Sequence, residues 1–245
     1  MLPDKLDKTE VINSISSERL EAYRLSPNDT IENLVQIYLH NIELAEALYP
    51  ALALLEVTLR NRLNNAINRN IMQDWLIKEA DTQNILLQDE YDLIVKASQK
   101  LTRPVYKNGQ PVKMPLTNGK LIAELNFGFW VYLCDSKYNP AIWMKKPIIF
   151  DEVFPNYDSF IAKKNPTSKR HKRINKVFSK LKPILKLRNR VFHHEPVFNH
   201  PAGLNNCYAD IEELLLYMSI ESSEFLMNIS KFQEYWNKSP IKAKT

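Results

Sequence analysis

Residues 188–196 read Arg-Asn-Arg-Val-Phe-His-His-Glu-Pro. An arginine, an amide and a histidine in this spacing can grip a phosphodiester and move its protons. Arginine brings a fixed charge and a planar fork of donors that fits phosphate oxygens. Histidine exchanges a proton near neutral pH. Cleaving RNA through its own 2′-hydroxyl needs little more, because the substrate carries the nucleophile. About one arginine-to-histidine match at such spacing is expected by chance in a chain of this composition, and a basic last helical turn would also favour the helix dipole. The context of the motif therefore matters.

The motif closes the most basic stretch of a 245-residue chain. Between Ser159 and His194 there are twelve Lys/Arg and no Asp or Glu, leaving 21 basic against 28 acidic residues elsewhere, a net of −7. A basic segment on an otherwise acidic protein suits a polyanion; an acidic partner protein is the competing reading. Lys169–Lys182 reads as an amphipathic helix with Ile174, Val177, Phe178 and Leu181 on one face. Lys169, Arg173, Lys176 and Lys180 line a second stripe, which with Arg190 makes the expected RNA-binding set. Pro183 is expected to kink or restart the helix, and Ile184–Phe192 then carries the motif.

The remaining chain also reads as helix. Thr30 caps a helix from Ile31 to about Tyr49, Pro50 interrupts, and Ala51–Asn70 resumes with Leu55, Leu59, Leu63 and Ile67 four apart. Glu56 and Arg60 are spaced for a pair on one helix face and, with Asn61, could also reach the candidate cleft. A helix over roughly Asp89–Leu101 precedes a turn-rich stretch, 102–118, with a hairpin signal at Asn108-Gly109. Helix returns at about Lys120–Cys134. Its Phe127, Phe129, Trp130 and Tyr132 read as core in preference to a base-stacking platform. Residues 135–158 look irregular, with Trp143, Phe150 and Phe154 over the core. A last long helix is expected over about Asn205–Asn228. The implied organisation is all-α: a 1–29 extension, a helical domain over 30–236 with an irregular or hairpin insertion near 102–118, and a basic 237–245 tail.

Other classes find little support. Four glycines and no Gly-x-Gly-x-x-Gly or Gly-Lys-Ser/Thr loop argue against a nucleotide-binding turn. Cys134 and Cys207 cannot build a disulfide framework. The N-terminal residues lack a secretory-type apolar stretch, and the longest uncharged apolar run, Phe127–Cys134, is too short for a membrane span. A cytoplasmic location follows as the expectation. Adjacent helical residues diverge by about 100°, so His193, His194 and Glu195 do not converge on one metal ion. No metal or cofactor is expected, and His40, His171 and His200 read as surface or packing residues.

Three segments together resemble the Abi-like proteins of bacteria, a branch of the HEPN superfamily. Leu54-Leu55-Glu56-Val57-Thr58-Leu59-Arg60-Asn61 looks like the family's early helix. Ile122-Ala123-Glu124-Leu125-Asn126-Phe127-Gly128-Phe129-Trp130 is similar to its central signature, and Leu187–Glu195 to its closing motif. They stand in the family's order and the resemblance covers roughly residues 30–230. It implies a HEPN-like helical bundle that forms a homodimer with two Arg-His motifs at one cleft. It also implies metal-independent RNA cleavage in phage defence (abortive infection) or as the toxin of a toxin–antitoxin system, with an antitoxin or a phage-derived trigger as partner. A non-catalytic RNA-binding or protein-interaction module is the alternative.

Carried onto this sequence, the motif positions are Arg188, Asn189 and His193, although His194 also satisfies the spacing. In the expected chemistry His193 takes the 2′-hydroxyl proton and Arg188 stabilises charge on the phosphate oxygens. Asn189 donates to phosphate or fixes the imidazole, and a second histidine, from the partner subunit, protonates the departing 5′-oxygen. Arg188 and His193 stand about 140° apart on an ideal helix. The helix end must therefore distort, or the two groups must grip a shared phosphate from its flanks. A second echo, Leu-Arg-Asn-Arg at 59–62, lacks a histidine and can only order or bind.

Overall fold

A computed structural model describes residues 8–107, 110–112, 114–162 and 172–239. Two short helices, α1 (Lys8–Ile15) and α2 (Ser17–Glu21), lead into α3 (Ile31–Asn70), which is 40 residues long. At 1.5 Å per residue α3 spans about 60 Å and forms the spine of the molecule. Thr30 accepts from the Asn33 amide while the Asn33 side chain accepts from the Thr30 amide, so the entry is capped reciprocally. Next come α4 (Trp75–Asp81), α5 (Gln88–Leu101) and an antiparallel pair, β1 (Val105–Lys107) and β2 (Gln110–Val112). The expected turn residues Asn108-Gly109 lie outside the described residues.

The chain continues through α6 (Asn118–Glu124), α7 (Phe127–Tyr132), α8 (Ile148–Val153), α9 (Tyr157–Ala162) and α10 (Arg173–Phe192). It closes with α11 (Leu204–Met218), α12 (Ile220–Ile229) and α13 (Phe232–Asn237). The molecule is mostly helical, as the sequence implies. α3 and α10 bracket α7 and α11, each of which packs against both.

Four boundaries depart from the sequence expectation. α3 runs unbroken through Pro50, and α10 through Pro183. An interior proline costs about 3 kcal/mol. On α3, however, Leu44, Leu48, Leu52 and Leu55 are buried in phase across the break, each contributing about 2 kcal/mol. Val177, Leu181, Ile184 and Leu187 do the same on α10. The expected helix over Lys120–Cys134 splits because Asn126 caps α7, its side chain accepting from the Phe129 amide at 3.0 Å. The expected last long helix splits at Ser219, which is extended and caps α12. Residues 135–158 are ordered turns of helix, including the π-turn Asn139–Trp143.

The aromatic stripe is core except at Tyr132, expected with it but exposed at the surface beside Phe178. Phe127, Phe129 and Trp130 are buried, and Trp75 meets the Phe129 and Trp130 rings at 6.4 and 6.3 Å. Trp143, Phe150 and Phe154 are buried too. Gly128 lets α7 approach α10. A Cβ there would stand 3.1 Å from Asn126 Oδ1, the capping atom, and 3.8 Å from the Leu185 side chain. The Phe-Gly-Phe-Trp run thus seats the central aromatics against the helix that carries the motif.

Candidate functional site

The motif ends α10, and the way the helix stops determines what its side chains can reach. His193 is the C-cap. His194 adopts the left-handed conformation, φ 56°, and donates its amide to the Val191 carbonyl. The Glu195 amide returns to the Arg190 carbonyl at 2.8 Å. These bonds form a Schellman closure, in which glycine is the usual left-handed residue. Histidine is tolerated there at a cost. The reversal lies one residue beyond His193, so it re-aims His194 and leaves the Arg188–His193 separation as the helix sets it.

The reversal is held from outside the motif. Arg19, on α2, donates to the carbonyls of both His193 and His194. The Tyr23 hydroxyl donates to the His194 carbonyl at 2.8 Å. Burial pushes the Tyr23 pKa up, which keeps the hydroxyl a donor. Buried Asn41, on α3, donates to the Glu195 carbonyl at 3.4 Å and accepts from the Val197 amide at 2.7 Å. Arg190 turns back onto the Pro196 carbonyl at 2.6 Å, with Nε 3.8 Å from Glu195. Its guanidinium fastens the closure, so it is not a free RNA contact.

Arg188 lies along α10 with its guanidinium carbon 4.2 Å from the centre of the Phe192 ring, one helical turn on. Its Nε stands 3.6 Å from a Glu56 carboxylate oxygen. That is an ion pair without a hydrogen bond, and the shielded Nε has no hydrogen-bond partner among the described residues. Glu56 thus faces Arg188, in place of the Glu56–Arg60 pair that helix spacing suggested. Arg60 Nε is likewise shielded and unpartnered, and Asn61 is exposed. Asn189, His193 and His194 are exposed, and none of their side chains has a hydrogen-bond partner among the described residues.

An open groove of about 990 Å³ borders this helix end. Val191, Phe192 and His194 line one side and Ile42, Ala45, Tyr49 and Pro50 of α3 the other. His193 is not among its lining residues. The two histidines therefore differ in setting: His194 faces the groove through a strained backbone, while His193 does not.

The basic stripe is less free than its sequence suggests. Lys169 lies outside the described residues, as do Lys163, Lys164, Arg170, His171 and the last residues of the tail, 240–245. Arg173 pairs with Asp151 at 3.4 Å and Asp158 at 2.8 Å. Lys180 is half-buried and pairs with Asp210 and Glu213 of α11. Burial works against its charge, but the two carboxylates outweigh it and its pKa is raised. Acids distant in sequence thus neutralise two of the four stripe residues; these cations join α10 to its neighbours. Lys172, Lys176 and Lys186 are exposed.

The other two described histidines pack. His40 bonds Ser239 at 2.7 Å, and His200 is buried beside Cys207, its pKa lowered by burial. Both cysteines are free and buried. Among the described residues no three His, Cys, Asp or Glu side chains cluster as metal ligands, and no helix is long and apolar enough to cross a membrane.

Sequence reasoning missed Arg19, Tyr23 and Asn41, which hold the motif's backbone. It also missed Tyr49, whose ring lies 6.2 Å from that of Phe192. All four lie more than a hundred residues from the motif, and contacts to carbonyl groups leave no residue pattern. Compared with known proteins, the chain matches no family model, no curated protein and no solved structure.

Proposed function

We propose that the chain is a metal-independent endoribonuclease of the Abi-like, HEPN type. The observation that carries this reading is the helix end itself. A guanidinium whose terminal nitrogens make no hydrogen bond to the described residues and two unengaged imidazoles stand on a backbone reversal held by three side chains from elsewhere in the chain. Holding reactive groups by their backbone leaves their side chains available for substrate.

His194, in place of the neighbouring His193, takes the proton from a ribose 2′-hydroxyl. Its groove-side position and strained backbone favour it. The 2′-oxygen attacks the adjacent phosphorus as the bond to the 5′-oxygen breaks. Arg188 meets charge growing on the non-bridging oxygens, and Asn189 donates to phosphate. The 5′-oxygen leaves with a proton from a second histidine, His193 or its equivalent in a partner subunit. The products are a 2′,3′-cyclic phosphate and a 5′-hydroxyl.

A homodimer that brings two motifs together, action in the cytoplasm in phage defence or as a toxin, and an antitoxin or phage-derived trigger belong to the same proposal. It rests on the resemblance of the three sequence segments. The test is incubation of purified protein with mixed cellular RNA in EDTA. Fragments lost in Arg188→Ala and in His194→Ala support the reading. If the wild type binds RNA and leaves it intact, the chain is an RNA-binding module.

A further inference from the structure

The groove beside the motif carries two exposed rings. Tyr49 is 56% exposed and Phe192 45%, and their centres lie 6.2 Å apart. The Arg188 guanidinium sits 4.2 Å from the centre of the Phe192 ring, so charge, ring and ring follow one another along the surface. Phosphate and base follow one another in the same way along a nucleotide. The aromatic residues of the central signature cannot serve this purpose, because they are buried.

We propose that Tyr49 and Phe192 form the stacking site for an unpaired nucleobase next to the phosphate held at Arg188. The inference rests on the ribonuclease reading and adds to it a substrate class, single-stranded RNA. An aromatic face accepts any base, since every base has a π-face. The site therefore selects for unpaired strands while tolerating sequence. A duplex keeps its bases stacked inside and offers none to Tyr49.

The proposed dimer sets the two helix ends side by side, and a second copy lying in the groove is the competing occupant that the sedimentation arm below detects. Lys231 and Glu46 line the groove with opposite charges. Arg188 stands beside the Phe192 ring, and its ion pair with Glu56 is made without a hydrogen bond, which leaves the guanidinium's terminal donors for a phosphate.

The test compares a deoxyadenosine decamer with an abasic decamer of equal charge. Neither carries the 2′-hydroxyl, so binding is read without cleavage. The wild type is expected to prefer the decamer with bases by between about 5-fold and about 100-fold. Tyr49→Ala should reduce that ratio to near one, and Tyr49→Phe should keep it, because stacking needs the ring alone. Tyr49 is exposed, so circular dichroism should show both variants folded.

A wild-type ratio near one, or a ratio that survives Tyr49→Ala, overturns the proposal. So does a Tyr49→Ala variant that splits a dimer in sedimentation without changing the ratio, which would make the groove a subunit contact. Cleavage of an RNA decamer, followed in parallel, reports on the ribonuclease reading separately. A protein that shows the expected ratio and cuts nothing retains the stacking site and loses the enzyme assignment.

Discussion

Replacing His194 with glycine is expected to stabilise the fold and destroy cleavage together. His194 occupies the left-handed position of the helix closure, φ 56°. A side chain there costs roughly 1–2 kcal/mol. Glycine removes that cost but returns about 0.4–1 kcal/mol of freedom to the unfolded chain. The imidazole is exposed and makes no hydrogen bond to the described residues, so little else is lost. The anchors from Arg19 and Tyr23 reach the His194 carbonyl and survive the change. The net gain is about 0.5–1 kcal/mol, or roughly 1–4 °C in Tm for a chain of this length. Removing a general base lowers cleavage about 10²–10⁴-fold. Thermal unfolding and a gel assay on the same preparation read both effects. His194→Ala should lose cleavage equally and gain no stability. A glycine variant that melts lower than the wild type refutes the strain argument. One that melts higher and cuts normally refutes the role of His194.

Arg188→Lys should cut RNA at least about 10²-fold more slowly, because lysine keeps the charge and loses the planar fork; activity within threefold of the wild type would contradict this. Tyr23→Phe removes one donor from the His194 carbonyl. It should cost about 1 kcal/mol in urea unfolding and lower kcat more than it changes KM. Lys180→Gln leaves Asp210 and Glu213 facing each other and should cost about 1–2 kcal/mol without changing the salt dependence of RNA binding. The Lys180 pKa is raised above its ordinary 10.5, so the pair's contribution is complete below that value and is lost as pH rises through the raised one. The Tm gap between wild type and Lys180→Gln should therefore narrow in strongly alkaline buffer. Lys172→Gln and Lys186→Gln, which remove exposed cations, should each reduce the salt slope by about 0.7 if they touch phosphate.

The helical character, the caps at Thr30 and Ser219, and the core role of Phe127, Phe129 and Trp130 differed in how legible they were. Thr30 and the aromatics stood out because capping chemistry and apolar spacing are local. Ser219 and Asn126 hid within apolar runs whose periodicity continued past them. Pro50 and Pro183 misled because a helix interruption is a local cost, whereas the leucines that outweigh it gain their energy from distant partners. The same holds at the site. Arg188, Asn189 and the two histidines could be picked out by type and spacing. That Arg188 meets Glu56, and that Arg173 and Lys180 meet carboxylates, depends on which helices become neighbours. A basic run without internal acids looked like an open cationic face until α11 supplied Asp210 and Glu213.

The central claim is that the substrate's own 2′-hydroxyl is the nucleophile, activated at the Arg188–His194 helix end. The most direct measurement uses a single-stranded RNA oligomer with one mapped cleavage site, in EDTA, with the products resolved by mass spectrometry. The expected result is a 2′,3′-cyclic phosphate and a 5′-hydroxyl, with cleavage abolished when a single 2′-deoxy nucleotide replaces the residue 5′ to the cut. A 5′-phosphate product, or undiminished cleavage of the deoxy-substituted oligomer, would contradict it.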